Sequence, residues 1–119
     1  MKIAISTSGD GLDAPVDSRF GRAPRFMIID SVSRTFSMID NTQNLNAEQG
    51  AGIQSAQHVV DAGVSAVITG HAGPKAFKVL AAAKIDVYLC EGRTIAQALD
   101  LLAAGKLTIA DSADVEGHW

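Results

Sequence analysis

The first apolar run, Ile3 to Thr7, is short, rich in β-branched residues and closed by Ser8-Gly9-Asp10-Gly11, the pattern of a buried strand. Phe26–Ile29 and Thr35–Ile39 read as two further strands joined by Asp30-Ser31-Val32-Ser33-Arg34, a β-hairpin. Asn41 to Gly52 is polar and reads as a connection into a helix. From Ile53 the period lengthens: Ile53, Ala56 and Val60 fall on one helical face, with Gly63 placed to stop it. Ala66–Thr69 is an apolar run typical of a strand covered on both faces. Pro74 sits where a first-turn proline belongs, and Phe77, Leu80 and Ala81 give the next buried stripe. Ile85–Leu89 is the following strand. A last stripe, Ile95, Ala98, Leu99 and Leu102, runs between a Thr94 N-cap and a Gly105 stop.

The order β-β-β-α-β-α-β-α predicts an α/β domain. Hairpin-type connections join the early strands, and two β-α units then add parallel strands by right-handed crossovers. The expected architecture is a five-stranded mixed sheet with helices on both faces. It occupies residues 1–110, and residues 111–119, which carry no core pattern, are expected to form a C-terminal tail. With 119 residues there is room for one core. Because only 5% of residues are aromatic, that core is built from Ala, Val, Ile and Leu.

Charge and cysteine content narrow the function. A formal net charge of −3 argues against general nucleic-acid binding, which needs a basic surface to displace counterions. No apolar stretch approaches the ~20 residues that span a bilayer. The start, Met1-Lys2-Ile3-Ala4-Ile5-Ser6, lacks the basic-then-apolar run of a secretory signal. The single cysteine, Cys90, has no internal disulfide partner, which suits a reducing compartment. A cytoplasmic location is expected.

Candidate chemistry gathers in loops. Gly70-His71-Ala72-Gly73-Pro74-Lys75-Ala76 lies between a buried strand and a helix. There Gly70 and Gly73 allow close backbone approach, the helix start offers amide N–H groups, and His71 and Lys75 add cationic or donor groups, so the loop can cradle an anion. A plain β–α turn accounts for the same glycines, since Gly-Pro begins many ordinary helices. Parallel strands would bring Ser6-Thr7-Ser8-Gly9 and Cys90-Glu91-Gly92 to the same sheet edge, where ligands bind in open α/β sheets, with Ser8 as a hydroxyl donor. The stretch Asp17-Ser18-Arg19-Phe20-Gly21-Arg22-Ala23-Pro24-Arg25 spaces Arg19, Arg22 and Arg25 at intervals of three. On a mobile loop these guanidinium groups would close over an anion. A solvated loop pairing with Asp13 and Asp17 fits the same residues. Cys90, as a metal ligand, competes with the commoner role of a small buried hydrophobe. His58 is a surface or boundary residue. Catalytic signatures are thin: there is no Gly-x-Ser-x-Gly elbow and no Walker loop.

Taken together, Met1 to Thr7, the Asp17 to Ala23 loop, Gly50-Ala51-Gly52-Ile53-Gln54, Gly70 to Ala76 and Gly92-Arg93-Thr94-Ile95 resemble the dinitrogenase iron–molybdenum cofactor biosynthesis family. Each motif is weak alone, and five in order over nearly the whole chain are specific. The resemblance implies a ribonuclease H-like fold and the binding or carriage of a metal–sulfur cluster or its precursor, with no catalytic turnover. For the stand-alone members it points to a mixed molybdenum–copper sulfide cluster held non-covalently, with a recipient protein as partner. Nuclease activity is rejected on residues, because the first strand carries none of the carboxylates that a two-metal site needs. Two other readings stay open: a regulatory or partner-docking module using the weakly charged helix Thr94 to Gly105, and a small phosphate-binding enzyme using the Gly70 to Ala76 loop.

Overall fold

In β1 (Lys2–Thr7) and β2 (Arg25–Asp30) apolar side chains occupy both faces of the strand rather than one. Strands of that kind belong in the middle of a sheet covered on both sides. The computed structural model, which describes residues 1–41 and 51–110, places them there. The remaining strands are β3 (Phe36–Asp40), β4 (Ala66–Thr69), β5 (Asp86–Leu89) and β6 (Thr108–Ala110), and the sheet order is β3-β2-β1-β4-β5-β6. Strands β1, β4 and β5 run parallel, while β2, β3 and β6 are antiparallel to their neighbours.

The pleat divides the core into two layers. On one face Ala4, Phe26, Ile28, Val67 and Val87 meet Ala56 and Val59 of α1 (Ala51–Asp61) and Ala76 and Leu80 of α2 (Pro74–Ala82). On the other face Ile3, Ile5, Met27, Ile29 and Ile68 meet Ile95, Ala98 and Leu99 of α3 (Ile95–Ala103). The helices therefore cover both faces, as expected. Gly63 and Gly105 stand just past α1 and α3 with φ of 75° and 70°, and Thr94 caps α3 in a reciprocal capping box with Gln97.

Three expectations are corrected. The sheet has six strands rather than five. Strand β6 pairs antiparallel with the edge of β5, Leu89 opposite Thr108 and Val87 opposite Ala110. Three residues are too few to show a period, and Ile109 is 50% exposed, so pattern gave no sign of it. In α1 the inward face is Ser55, Ala56 and Val59, and Ile53 points outward at 42% exposure. Gly52 explains the rotation: a Cβ there would stand 3.3 Å from that of Ala76, so the bare residue faces α2 and lets the two helices close. In α2 the buried positions are Ala76 and Leu80, and Ala81 is exposed. The expected tail and residues 42–50, which make up most of the polar connection from Asn41 to Gly52 and include Gly50 of the third motif, lie outside the described residues.

Candidate functional site

The parallel course of β1, β4 and β5 sets Thr7, Thr69 and Leu89 at one sheet edge, and Arg25 joins them by pairing with Thr7 at the start of β2. Ser8, His71, Cys90 and Glu91 follow directly along the chain. Sequence spacing anticipated this convergence of strand ends.

The segment between β1 and β2, expected as a mobile loop, is instead strapped down. Val16, Phe20 and Ala23 are buried in it, and Phe20 packs on Phe26 with ring centroids 5.1 Å apart. Val16 bridges to Thr7, Pro15 to Thr94 and Arg19 to His71. At the centre of the strap, Ser6 Oγ donates to Asp17 O at 2.9 Å and is hydrogen-bonded to Thr69 Oγ1 at 2.7 Å. Thr7 Oγ1 donates to Pro15 O at 2.8 Å. The backbone adds Asp17 N to Ser6 O (2.7 Å), Gly70 N to Asp17 O (3.2 Å) and Phe20 N to His71 O (3.1 Å). Ser6, Thr7 and Thr69 are fully buried, so their hydroxyls need these partners.

Gly70 is required by this arrangement. A Cβ at that position would stand 2.6 Å from Ser18 Cα and 2.8 Å from Ser18 O. Both its bare Cα and its amide are taken up by the strap. The consequence lies next door, where Arg19, exposed, is held in register beside His71, half-buried. Asp17 contributes a turn as well, its carboxylate accepting from the Arg19 N–H at 2.9 Å.

Beyond His71 the chain enters α2 through Gly73, a buried N-cap in extended conformation with no side-chain cap, and Pro74. The first-turn amides of such a helix, Lys75 among them, lack intrahelical acceptors, so the N-terminus presents donors and partial positive charge. Lys75 is exposed, as is Ser8 at the end of β1, while Arg22 and Arg25 are half-buried. The edge thus collects Arg19, Arg25, His71, Lys75 and Ser8 with a helix start. Arg22 stands one turn further along the strap.

Two neighbours carry opposite or neutral character. Glu91 Oε1 lies 3.2 Å from His71 Nε2, a contact that sequence reasoning missed although Glu91 stood in a named loop. Cys90 is 7% exposed and packs with the core beneath α3. Burial pushes its thiol above the usual range, opposed by the nearby Arg93 charge. Cys90 is therefore a protonated, inward-facing thiol. Asn41 and Ser55 also escaped notice. Both are fully buried polar residues beside the backbone that flanks Arg22, and the only sequence trace of Ser55 is its place on the helix face shared with Ala56 and Val59.

A three-layered α/β domain with a mixed sheet, a polar strap and a strand-end rim that carries Arg19, Arg25, His71 and Lys75 is the class of protein these observations define. The chain belongs to the dinitrogenase iron–molybdenum cofactor family, whose profile matches residues 1–105. It is similar to the orange protein of Desulfovibrio gigas, solved in its apo form, with 37% identity, a TM-score of 0.92 and 96% of each chain covered. A Thermotoga protein proposed to be a NifB protein is 34% identical, with a TM-score of 0.84 and 98% of each chain covered. An uncharacterised protein of Methanocaldococcus jannaschii is 34% identical over 110 residues, 90% of this chain and 89% of its own length.

Proposed function

We propose that this chain binds and carries an anionic, molybdenum-containing metal–sulfide cluster at the strand-end rim and performs no chemistry on it. The observation that carries this reading is the pairing of Arg19 with His71, which fixes an arginine loop against the start of α2. Guanidinium, imidazole, ammonium, hydroxyl and amide donors suit an anion whose metals already carry sulfide. Arg19, Arg22 and Arg25 are its closing cations. His71, Gly73 and Lys75 form the cradle with Gly70 supporting it, and Ser8 donates a hydroxyl. Cys90, buried and protonated, is left out of the ligand set. The family's description, which names the iron–molybdenum cofactor, and the apo form known for a 37% identical relative support a cluster as ligand. In the same reading the fold is ribonuclease H-like, supported by the order β3-β2-β1-β4-β5 with β2 antiparallel. The cargo is a mixed molybdenum–copper sulfide passed to a recipient protein in the cytoplasm.

The test is titration with tetrathiomolybdate and copper(I), followed by gel filtration, visible absorption and metal analysis. Stoichiometric Mo and Cu with bands unlike those of the reagents is the expected result. A charged hydrogen bond contributes ~1.5–3 kcal/mol, so Arg22→Ala or His71→Ala should weaken retention roughly 10- to 150-fold. Both should leave the fold intact. Undiminished retention in both variants refutes the pocket. Protein that elutes colourless and metal-free refutes the cluster itself, and stabilisation by a phosphorylated metabolite alone would then favour phosphate binding.

A further inference from the structure

Beside the backbone that flanks Arg22 lies a set of connected polar side chains. Asn41 and Ser55 are fully buried, and His58 of α1 is half-buried beside them. Asn41 Nδ2 donates to Ala23 O at 2.8 Å and to Ser55 Oγ at 3.1 Å. Ser55 Oγ has two acceptors in reach of its one proton, Asn41 Oδ1 at 3.2 Å and Gly21 O at 3.3 Å, and Asn41 N donates to Pro24 O at 2.8 Å. His58 Nδ1 is 3.3 Å from Asn41 Oδ1.

The directions of these bonds follow from the backbone. A carbonyl oxygen only accepts, so the amide NH₂ of Asn41 must face Ala23 O and its Oδ1 must face His58. His58 then carries a proton on Nδ1. Donation runs from His58 to Asn41 and from Asn41 to Ala23 O and to Ser55 Oγ, whose own proton is shared between Gly21 O and Asn41 Oδ1. The two carbonyls it ends on belong to the residues on either side of Arg22. A single arginine therefore sits between two clamped peptide groups, which denies its backbone the freedom a surface loop ordinarily has.

We infer that Asn41, Ser55 and His58 form a positioning network that holds Arg22 in place for the anion bound at the rim. The inference rests on the cluster reading above and deepens it. The strap at Ser6, Thr69 and His71 sets Arg19, and this second, independent network sets Arg22. Its members touch no ligand and act through the arginine.

A double-mutant cycle tests it with the full-length protein, tetrathiomolybdate plus copper(I) as the probe, and urea unfolding as a separate stability readout. Ser55→Ala should lower retention about tenfold in the natural background, the size of one ~1.4 kcal/mol contribution, yet add little in an Arg22→Ala background. His58→Ala should show the same non-additivity. His58→Gln, which restores a donor toward Asn41 Oδ1, should recover retention, and this variant covers the case in which Ser55→Ala folds poorly. Amide exchange at Gly21, Arg22 and Ala23, read without any cluster, should quicken in Ser55→Ala. Additive losses, or full retention in Ser55→Ala and His58→Ala while Arg22→Ala loses it, overturn the network and leave the cluster reading standing. Full retention in Arg22→Ala overturns the role of Arg22 and the network with it.

Discussion

Replacing Gly70 by alanine is the sharpest probe of how the rim is built. The added Cβ would stand 2.6, 2.8 and 3.0 Å from Ser18 Cα, O and C, all backbone atoms that cannot swing aside as a side-chain tip would. Carbon atoms rest ~3.5–4.0 Å apart, so the strap must retreat by about 1 Å. Overpacking of this kind costs ~1–3 kcal/mol. The retreat also stretches the hydrogen bonds from Gly70 N to Asp17 O and from Phe20 N to His71 O, now 3.2 and 3.1 Å. At ~1 kcal/mol for each of the two bonds lost, the total comes to ~3–5 kcal/mol. With a urea slope of ~2 kcal/mol/M, the middle of the usual range, the unfolding midpoint should fall by about 1.5–2.5 M while the slope holds. Gly63→Ala is the control. It meets open space at φ 75° and should cost only the ~1–2 kcal/mol of left-handed strain, with cluster retention untouched. Gly70→Ala should lose retention as well, because Arg19 moves with the strap. A Gly70→Ala unfolding free energy within ~0.5 kcal/mol of the natural protein would refute the claim that the strap bears on this glycine.

Two further outcomes follow from single side chains. Since burial raises the Cys90 thiol, folded protein at mildly alkaline pH should react with a disulfide reagent far more slowly than urea-unfolded protein, and equal rates would contradict the buried, protonated assignment. The sign for stability follows: the folded state prefers the neutral thiol, so this contribution is whole below the ordinary thiol pKa and is lost as pH rises through the raised folded value. Thr94→Ala removes the hydroxyl that accepts from Gln97 N and keeps the reciprocal bond, which the residue 94 backbone N–H donates to Gln97 Oε1. It should cost ~0.5–2 kcal/mol in thermal or urea unfolding, and a neutral result would refute a stabilising role for the cap hydroxyl.

Much of the fold was legible residue by residue. Eight of the nine elements among the described residues announce themselves by period, length and punctuation, and Ala66–Thr69 falls on the strand boundaries without adjustment. Thr94, Gly63 and Gly105 act where local chemistry puts them. The failures were of two physical kinds. Strand β6 is made by an edge needing a partner, so its information lies in β5 rather than in Thr108–Ala110. The rotation of α1 depends on Gly52 meeting Ala76, a contact between helices that neither helix's own period contains.

The candidate site divides the same way. Its cast was visible, because glycines before a helix, arginines at intervals of three and strand-end loops are local features. Its assembly was not. Ser6 and Thr69 stand 63 residues apart, and nothing around either shows that their hydroxyls would meet and tie down Asp17. Asn41 and Ser55 looked like ordinary loop and helix polar residues until burial left them no water to bond and turned them toward Gly21 and Ala23. The sequence by itself determined most of the strands and all three helices, a core that is mainly aliphatic around Phe20 and Phe26, and which residues could attract an anion, since those properties are set by neighbours a few positions away. Only the tertiary structure decided that the arginine loop is strapped rather than mobile, and that Arg19 lies beside His71. Those outcomes depend on hydrogen bonds between distant segments, which form only where burial has excluded water as a competing partner.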